Sequence, residues 1–132
     1  HLSLYEEQAL KEYLRKHYPG KPNGKAQERF VRDSLKFINL FLDKMYYFAV
    51  TGRSKKTMKL YPNGGVPFSQ KEEKLVQEQL QIKNLRKIRR FLIEHEIFVT
   101  DINRWGVEYS YRKDKKFAKH YLLNLEPVFL EA

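Results

Sequence analysis

"QLQIKNLRKIRRFLIEHEIF", residues 79–98, decides how this chain folds. It sets Lys83, Arg86, Lys87, Arg89 and Arg90 among Ile82, Leu85, Ile88, Phe91 and Leu92. No Gly or Pro interrupts residues 69–95, so one long helix is one reading. The other is a helix ending near Leu80, a tight turn through Gln81-Ile82-Lys83, and a new helix capped by Asn84. Asn is a favoured N-cap because its side-chain oxygen accepts an orphan backbone N–H, and an apolar Ile82 in the turn suits burial between two helices. At about 100° per residue, Leu85, Ile88, Phe91 and Leu92 share one arc. Arg86, Lys87, Arg90 and Glu94 point away from it, as does Lys83 just before the helix, while Arg89 lies at the border. Cations at a helix start oppose the macrodipole by about 0.3–1 kcal/mol each. Stability alone would not select them.

Outward from this stretch the pattern changes on both sides. Upstream, Ser69 and Glu72 have the spacing of a capping box and open "SQKEEKLVQEQL". Downstream the period changes to two. "EIFVTDI" (96–102) is rich in β-formers, "NRWG" is a turn, and "VEYSY" (107–111) alternates. "RKDKK" (112–116) is a charged turn, and "FAKHYLLN" (117–124) alternates with Phe117, Tyr121 and Leu123 on one face. Two alternating strands joined by five polar residues predict a β-hairpin between 107–111 and 117–124. "LEPVFLEA" reads as a tail packed by Val128 and Phe129.

The first half of the chain is helical. Ser3 and Glu6 form a capping box before Leu4, Ala9, Leu10, Tyr13 and Leu14, and Pro19-Gly20 ends that segment. A second helix starts near Lys25 with Phe30, Val31, Ser34, Leu35, Ile38, Phe41, Leu42 and Met45 in one wide stripe. "KMYYFAV" (44–50) fits either a continuing helix or a strand, since aromatic and β-branched residues favour strands. "TGRSKKTMKLYPNGGVP" (51–67) reads as linker, with Arg53, Lys55, Lys56 and Lys59 as candidates for phosphate contact or as a solvated loop. The expected division is a helical N-terminal extension with a basic linker over 1–68, and a second unit over 69–132.

Composition bounds the function. The chain has 132 residues, 26 Lys and Arg against 16 Asp and Glu, and a net charge of +10. Such a surplus suits polyanionic partners. With 42% hydrophobic and 14% aromatic residues it can build one core, which argues against disorder. The absence of cysteine excludes disulfides and thiolate metal sites and fits an intracellular, cytoplasmic protein. No apolar run approaches the roughly 18 residues of a membrane span. The start at His1, without Met, suggests a tag remnant or a domain cut from a longer protein.

Helix, turn, basic helix, strand and a hairpin with a charged tip together resemble a winged helix-turn-helix domain over about residues 69–124. "LVQEQLQIKNLRKIRRFLIEHEIFV" is similar to the helix-turn-helix, and "VEYSYRKDKKFAKHYLLN" to the wing of plasmid- and phage-type replication proteins. There an aromatic strand, a Lys-rich tip and a K-x-Y-x-L strand recur, a spacing that Lys119, Tyr121 and Leu123 match. The turn departs from the common pattern in having no Gly or small residue. The resemblance implies an α+β, mainly helical fold. It further implies that Lys83, Arg86, Lys87 and Arg90 face the major groove of double-stranded DNA, where Arg can fork onto guanine. Arg112, Lys113, Lys115, Lys116 and Lys119 would then contact phosphates from the wing.

The function implied is that of a non-catalytic DNA-binding domain from a replication initiator or a regulator of a mobile element or phage. It needs no cofactor, and homodimerisation or further domains of the parent chain would complete it. Two other readings stay open: a winged-helix module that binds protein within a larger assembly, and an RNA-binding accessory protein. Enzyme chemistry has little support. The four histidines are scattered, no His-x-His accompanies a tyrosine, and "NGG" (63–65) is a turn and no phosphate loop. His95, between Glu94 and Glu96, reads as a helix-end residue ahead of a metal ligand, and Trp105 as sheet packing ahead of base stacking.

Overall fold

The computed structural model describes residues 2–51, 66–100 and 120–132. It is a mainly helical α+β structure with five helices and three short strands among those residues. Helix α1 (Leu4–Lys16) starts with both halves of the capping box: Glu6 N–H donates to Ser3 Oγ at 3.2 Å, and Ser3 N–H to Glu6 Oε1 at 2.8 Å. After the loop at 19–24, the buried Gln27 ties the two helices together. Its amide donates to the Arg15 carbonyl at 2.9 Å, and its oxygen accepts from Asn23 N–H at 2.7 Å.

Helix α2 (Lys25–Thr51) takes the helical alternative for "KMYYFAV". It packs against α1, against α3 (Gln70–Leu80), against α4 (Leu85–Glu94), and against the strands β1 (Val66–Pro67) and β3 (His120–Leu123). A helix enclosed on several sides buries more than one stripe. That explains Phe37, fully buried although it lies off the expected apolar face.

Two corrections concern the sheet. Its order is β1-β3-β2, with β2 at Phe98–Thr100, and both pairings are antiparallel. Residues 120–123, expected to pair with 107–111, instead have β2 on one side (Phe98↔Leu123, Thr100↔Tyr121) and β1 on the other (Val66↔Tyr121). The segment 107–111 lies outside the described residues. The end of the expected linker is itself the edge strand β1, where Pro67 is tolerated because an edge need not donate on both sides. Phe68 follows it into the core. It meets Phe37 at 5.5 Å, Phe41 at 6.0 Å and Phe98 at 6.1 Å between ring centroids, and Tyr121 stacks on Phe98 at 4.3 Å. One hydrophobic cluster therefore runs across residue 68, joining α1 and α2 to α3, α4 and the sheet. Each such buried ring contributes about 1.5–3 kcal/mol relative to exposure.

The expected tail is the short helix α5 (Glu126–Glu131), which crosses α1. Val128 is buried, as expected. Phe129 is 39% exposed and stacks beside Tyr5, so only one of the two residues packs inward.

Candidate nucleic-acid interface

Helix α3 ends where the sequence placed the break. Gln81 adopts the left-handed conformation (φ 55°, ψ 43°), its N–H donates to Glu78 O at 3.2 Å, and Ile82 N–H donates to Gln77 O at 3.0 Å. These are the two bonds of a Schellman turn, closed by burial of Ile82 in the same core as Val76. Glycine usually fills the left-handed position, and another residue there costs about 1–2 kcal/mol. Burial of Ile82 offsets that cost. The device recurs at the end of α4: Glu96 is left-handed (φ 59°), its N–H donates to Ile93 O, and Ile97, fully buried, donates to Leu92 O at 2.9 Å.

Two side chains satisfy the start of α4. Asn84 Oδ1 accepts from Lys87 N–H at 3.3 Å, and Gln77 Oε1, reaching across from α3, accepts from Leu85 N–H at 3.1 Å. The second bond fixes α4 against α3 through a backbone donor. Leu85, Ile88, Phe91 and Leu92 are all buried, so the rotation of the helix is set by four inward anchors. Lys83, Arg86, Lys87 and Arg90 are exposed on the remaining arc.

Arg89 belongs elsewhere. Its Nη1 lies 3.0 Å from Glu73 Oε2 on α3, and its guanidinium sits 5.9 Å from the centre of the Phe68 ring. With only about a fifth of its side chain exposed, it clamps α4 to α3 and to the end of β1. Among the described residues no ion pair involves Lys83, Arg86, Lys87 or Arg90. Five cations of similar appearance in the sequence thus separate into one structural clamp and four free charges. Arg112, Lys113, Lys115, Lys116, Lys119, Arg53, Lys55 and Lys56, together with Trp105, lie outside the described residues.

A further set of cations escaped the sequence reading. Lys25, Arg29, Arg32 and Lys36 recur at helical spacing along α2, and all four are exposed. Their spacing was the available signal, but a polar helix face is ordinarily solvated. Arg29 comes to one cleft with Lys83 and Lys87, so the basic surface of α4 continues onto α2.

The far end of α4 is different. His95, its C-cap, stacks on Phe91 at 4.1 Å and pairs through Nδ1 with Tyr13 Oη at 2.8 Å. His17 lies 5.2 Å away, ring to ring, and its Nε2 contacts Glu131 at 2.8 Å. Desolvation, with repulsion from His17, lowers the His95 pKa. Burial, with the charge of Glu131, raises that of Tyr13. The Glu131 carboxyl is lowered by its bond from His17. His95 is therefore engaged in packing side chains of α1 against the end of α4. No cluster of three or more His, Asp or Glu suited to a metal occurs among the described residues. No helix among them is long and apolar enough to cross a membrane.

Compared with protein-family models, with curated proteins and with solved structures, the chain matches none of them.

Proposed function

We propose that this chain binds double-stranded DNA as a winged helix, without catalytic activity of its own. In this reading α3 and α4 form the helix-turn-helix, and α4 enters the major groove. Lys83, Arg86, Lys87 and Arg90 meet the DNA there, the two arginines able to read guanine O6 and N7. The wing lies between β2 and β3 in the chain and supplies Arg112, Lys113, Lys115, Lys116 and Lys119 as phosphate contacts. Arg53, Lys55 and Lys56 are further candidates. The observation that carries this reading is the sorting of charge on α4. The inward arc is spent on packing, and Arg89 on Glu73, which leaves four exposed cations on the arc that a groove would meet. A role in replication, or in regulation on a mobile element, rests on the likeness of the wing sequence.

The test is duplex binding by the full chain, on a sequence selected from a random pool. Replacing Arg86 and Arg90 together with Ala should weaken binding by about 2–6 kcal/mol, at about 1–3 kcal/mol for each base contact. The thermal melt should be nearly unchanged, because neither side chain is packed. A double variant that binds as the wild type does would remove α4 from the interface.

One observation favours a second reading, a protein-binding module. Leu4, Tyr5, Phe129 and Leu130 are exposed on α1 and α5, away from the basic arc of α4. Dimerisation or docking through those residues is compatible with DNA binding through α4.

A further inference from the structure

Between residues 25 and 36, helix α2 exposes six residues: Lys25, Ala26, Glu28, Arg29, Arg32 and Lys36. Four of the six are basic, and at about 100° per residue they fall within an arc of roughly 60°. Successive members stand four, three and four positions apart, the spacing at which like charges on a helix repel. Helix α1 uses the same spacing to pair Glu7 with Lys11. The acid on the exposed face of this part of α2 gives the row no relief. Both oxygens of Glu28 are engaged by Arg15 of α1, at 3.2 Å and 3.4 Å. Arg32 has a contact of 3.6 Å to its chain neighbour Asp33. Among the described residues Lys25, Arg29 and Lys36 are in no ion pair. The row also lies beside α4. Phe30 of α2 meets Phe91 of α4 at 5.1 Å, and Lys87, four residues before Phe91, turns to the same side. Arg29 lines one cleft with Lys83 and Lys87.

We propose that this row grips the sugar–phosphate strand bordering the groove that α4 enters. The proposal rests on the reading of α4 as the groove-entering helix and adds a second surface to it. A helix with its side chains is about 10–12 Å across and the major groove of B-DNA about 12 Å wide, so α4 fills that groove. Packed helices lie about 8–10 Å apart, axis to axis. That spacing carries α2 past the groove's half-width of about 6 Å and over its phosphate wall. From Lys25 to Lys36 the row runs about 16 Å, at 1.5 Å of rise per residue. One strand carries a phosphate for about every 3.4 Å of duplex axis, so the row spans about five of them. Contacts of this kind fix register and orientation without reading sequence. The two helices then divide the work, with bases read by Arg86 and Arg90 and the backbone held from α2.

Duplex titrations of the full chain across a salt series test the assignment. With Arg29→Gln, Arg32→Gln and Lys36→Gln combined, the log–log slope should be shallower than wild type by about 2–3, at roughly 0.9 for each phosphate contact. The preference for a selected duplex over a scrambled one should stay within about two-fold of wild type, since backbone contacts carry no sequence information. The Arg86/Arg90 double variant should lose that preference instead. A second measurement needs no variant: duplex should slow acetylation of the Lys25 and Lys36 amines of the wild-type chain, read by mass spectrometry. An unchanged slope in the triple variant, or lysines as reactive with duplex as without it, overturns the proposal and leaves the role of α4 standing. Loss of sequence preference in the triple variant also overturns it, by placing α2 at the bases. No duplex binding by the wild-type chain overturns both readings together.

Discussion

Helices α1 and α4 are built to opposite electrostatic rules. Helix α1 has Glu6 and Glu7 in its first turn, Arg15 and Lys16 in its last, a full capping box, and a Glu7–Lys11 pair at 3.6 Å. Every charge in that set agrees with the helix macrodipole. Helix α4 has Arg86 and Lys87 at its start and Glu94 at its end, with no acid in the first turn and no base in the last. It stands against its own dipole, held by four buried side chains and by caps borrowed from Asn84 and Gln77. The difference teaches where stability has been given up on an outward surface. Charge that fights the helix carrying it points to a partner that attracts it, and α4 is the helix where this happens.

The comparison can be broken most sharply on the inward side of α4. Phe91 packs edge-on against Phe30 at 5.1 Å and under His95, so Phe91→Ala should cost about 3–5 kcal/mol in chemical denaturation. A small loss would mean that α4 is not anchored as described. Next in size, Ser3→Ala should cost about 1 kcal/mol of stability through the lost cap and leave duplex binding untouched. Smaller again, and opposite in sign, Arg86→Glu should raise stability by about 0.3–1 kcal/mol while weakening duplex binding. A variant that loses both would show Arg86 to be structural. The least effect is expected from pH. Because the folded pKa of His95 is depressed, the folded state resists protonation there, so stability should fall as pH drops from about 6.5 through that lowered value. His95→Gln should flatten this part of the stability–pH profile, and an unchanged profile would assign it to another group.

How much of this was legible depended on whether the signal was local. Asn84 as a cap, the inward arc of Leu85, Ile88, Phe91 and Leu92, and the burial of Ile82 all follow from residue type and helical phase, and the structure has each of them. The turn was placed at Gln81-Ile82-Lys83, but the left-handed conformation of Gln81 was not, because glycine usually marks that position and none occurs here. The pairing of 120–123 was misread for another reason. Alternation identifies a strand but not its neighbour, and the neighbours here, Val66–Pro67 and Phe98–Thr100, are separated from it along the chain. At the candidate site, Arg89 was recognised as a border residue. Its partner Glu73 lies on another helix, which helical phase alone does not supply. Arg29 was missed because its meeting with Lys83 and Lys87 exists only after α2 packs on α4.

Salt is the most direct probe of the central claim, that the four free cations of α4 meet the phosphates and bases of a duplex. Association of the full chain with duplex DNA should weaken linearly on a log–log plot of affinity against salt. The slope should be roughly −0.9 for each phosphate contact neutralised, and shallower in the Arg86/Arg90 double variant. No duplex binding at low salt, or binding indifferent to salt, would contradict the account.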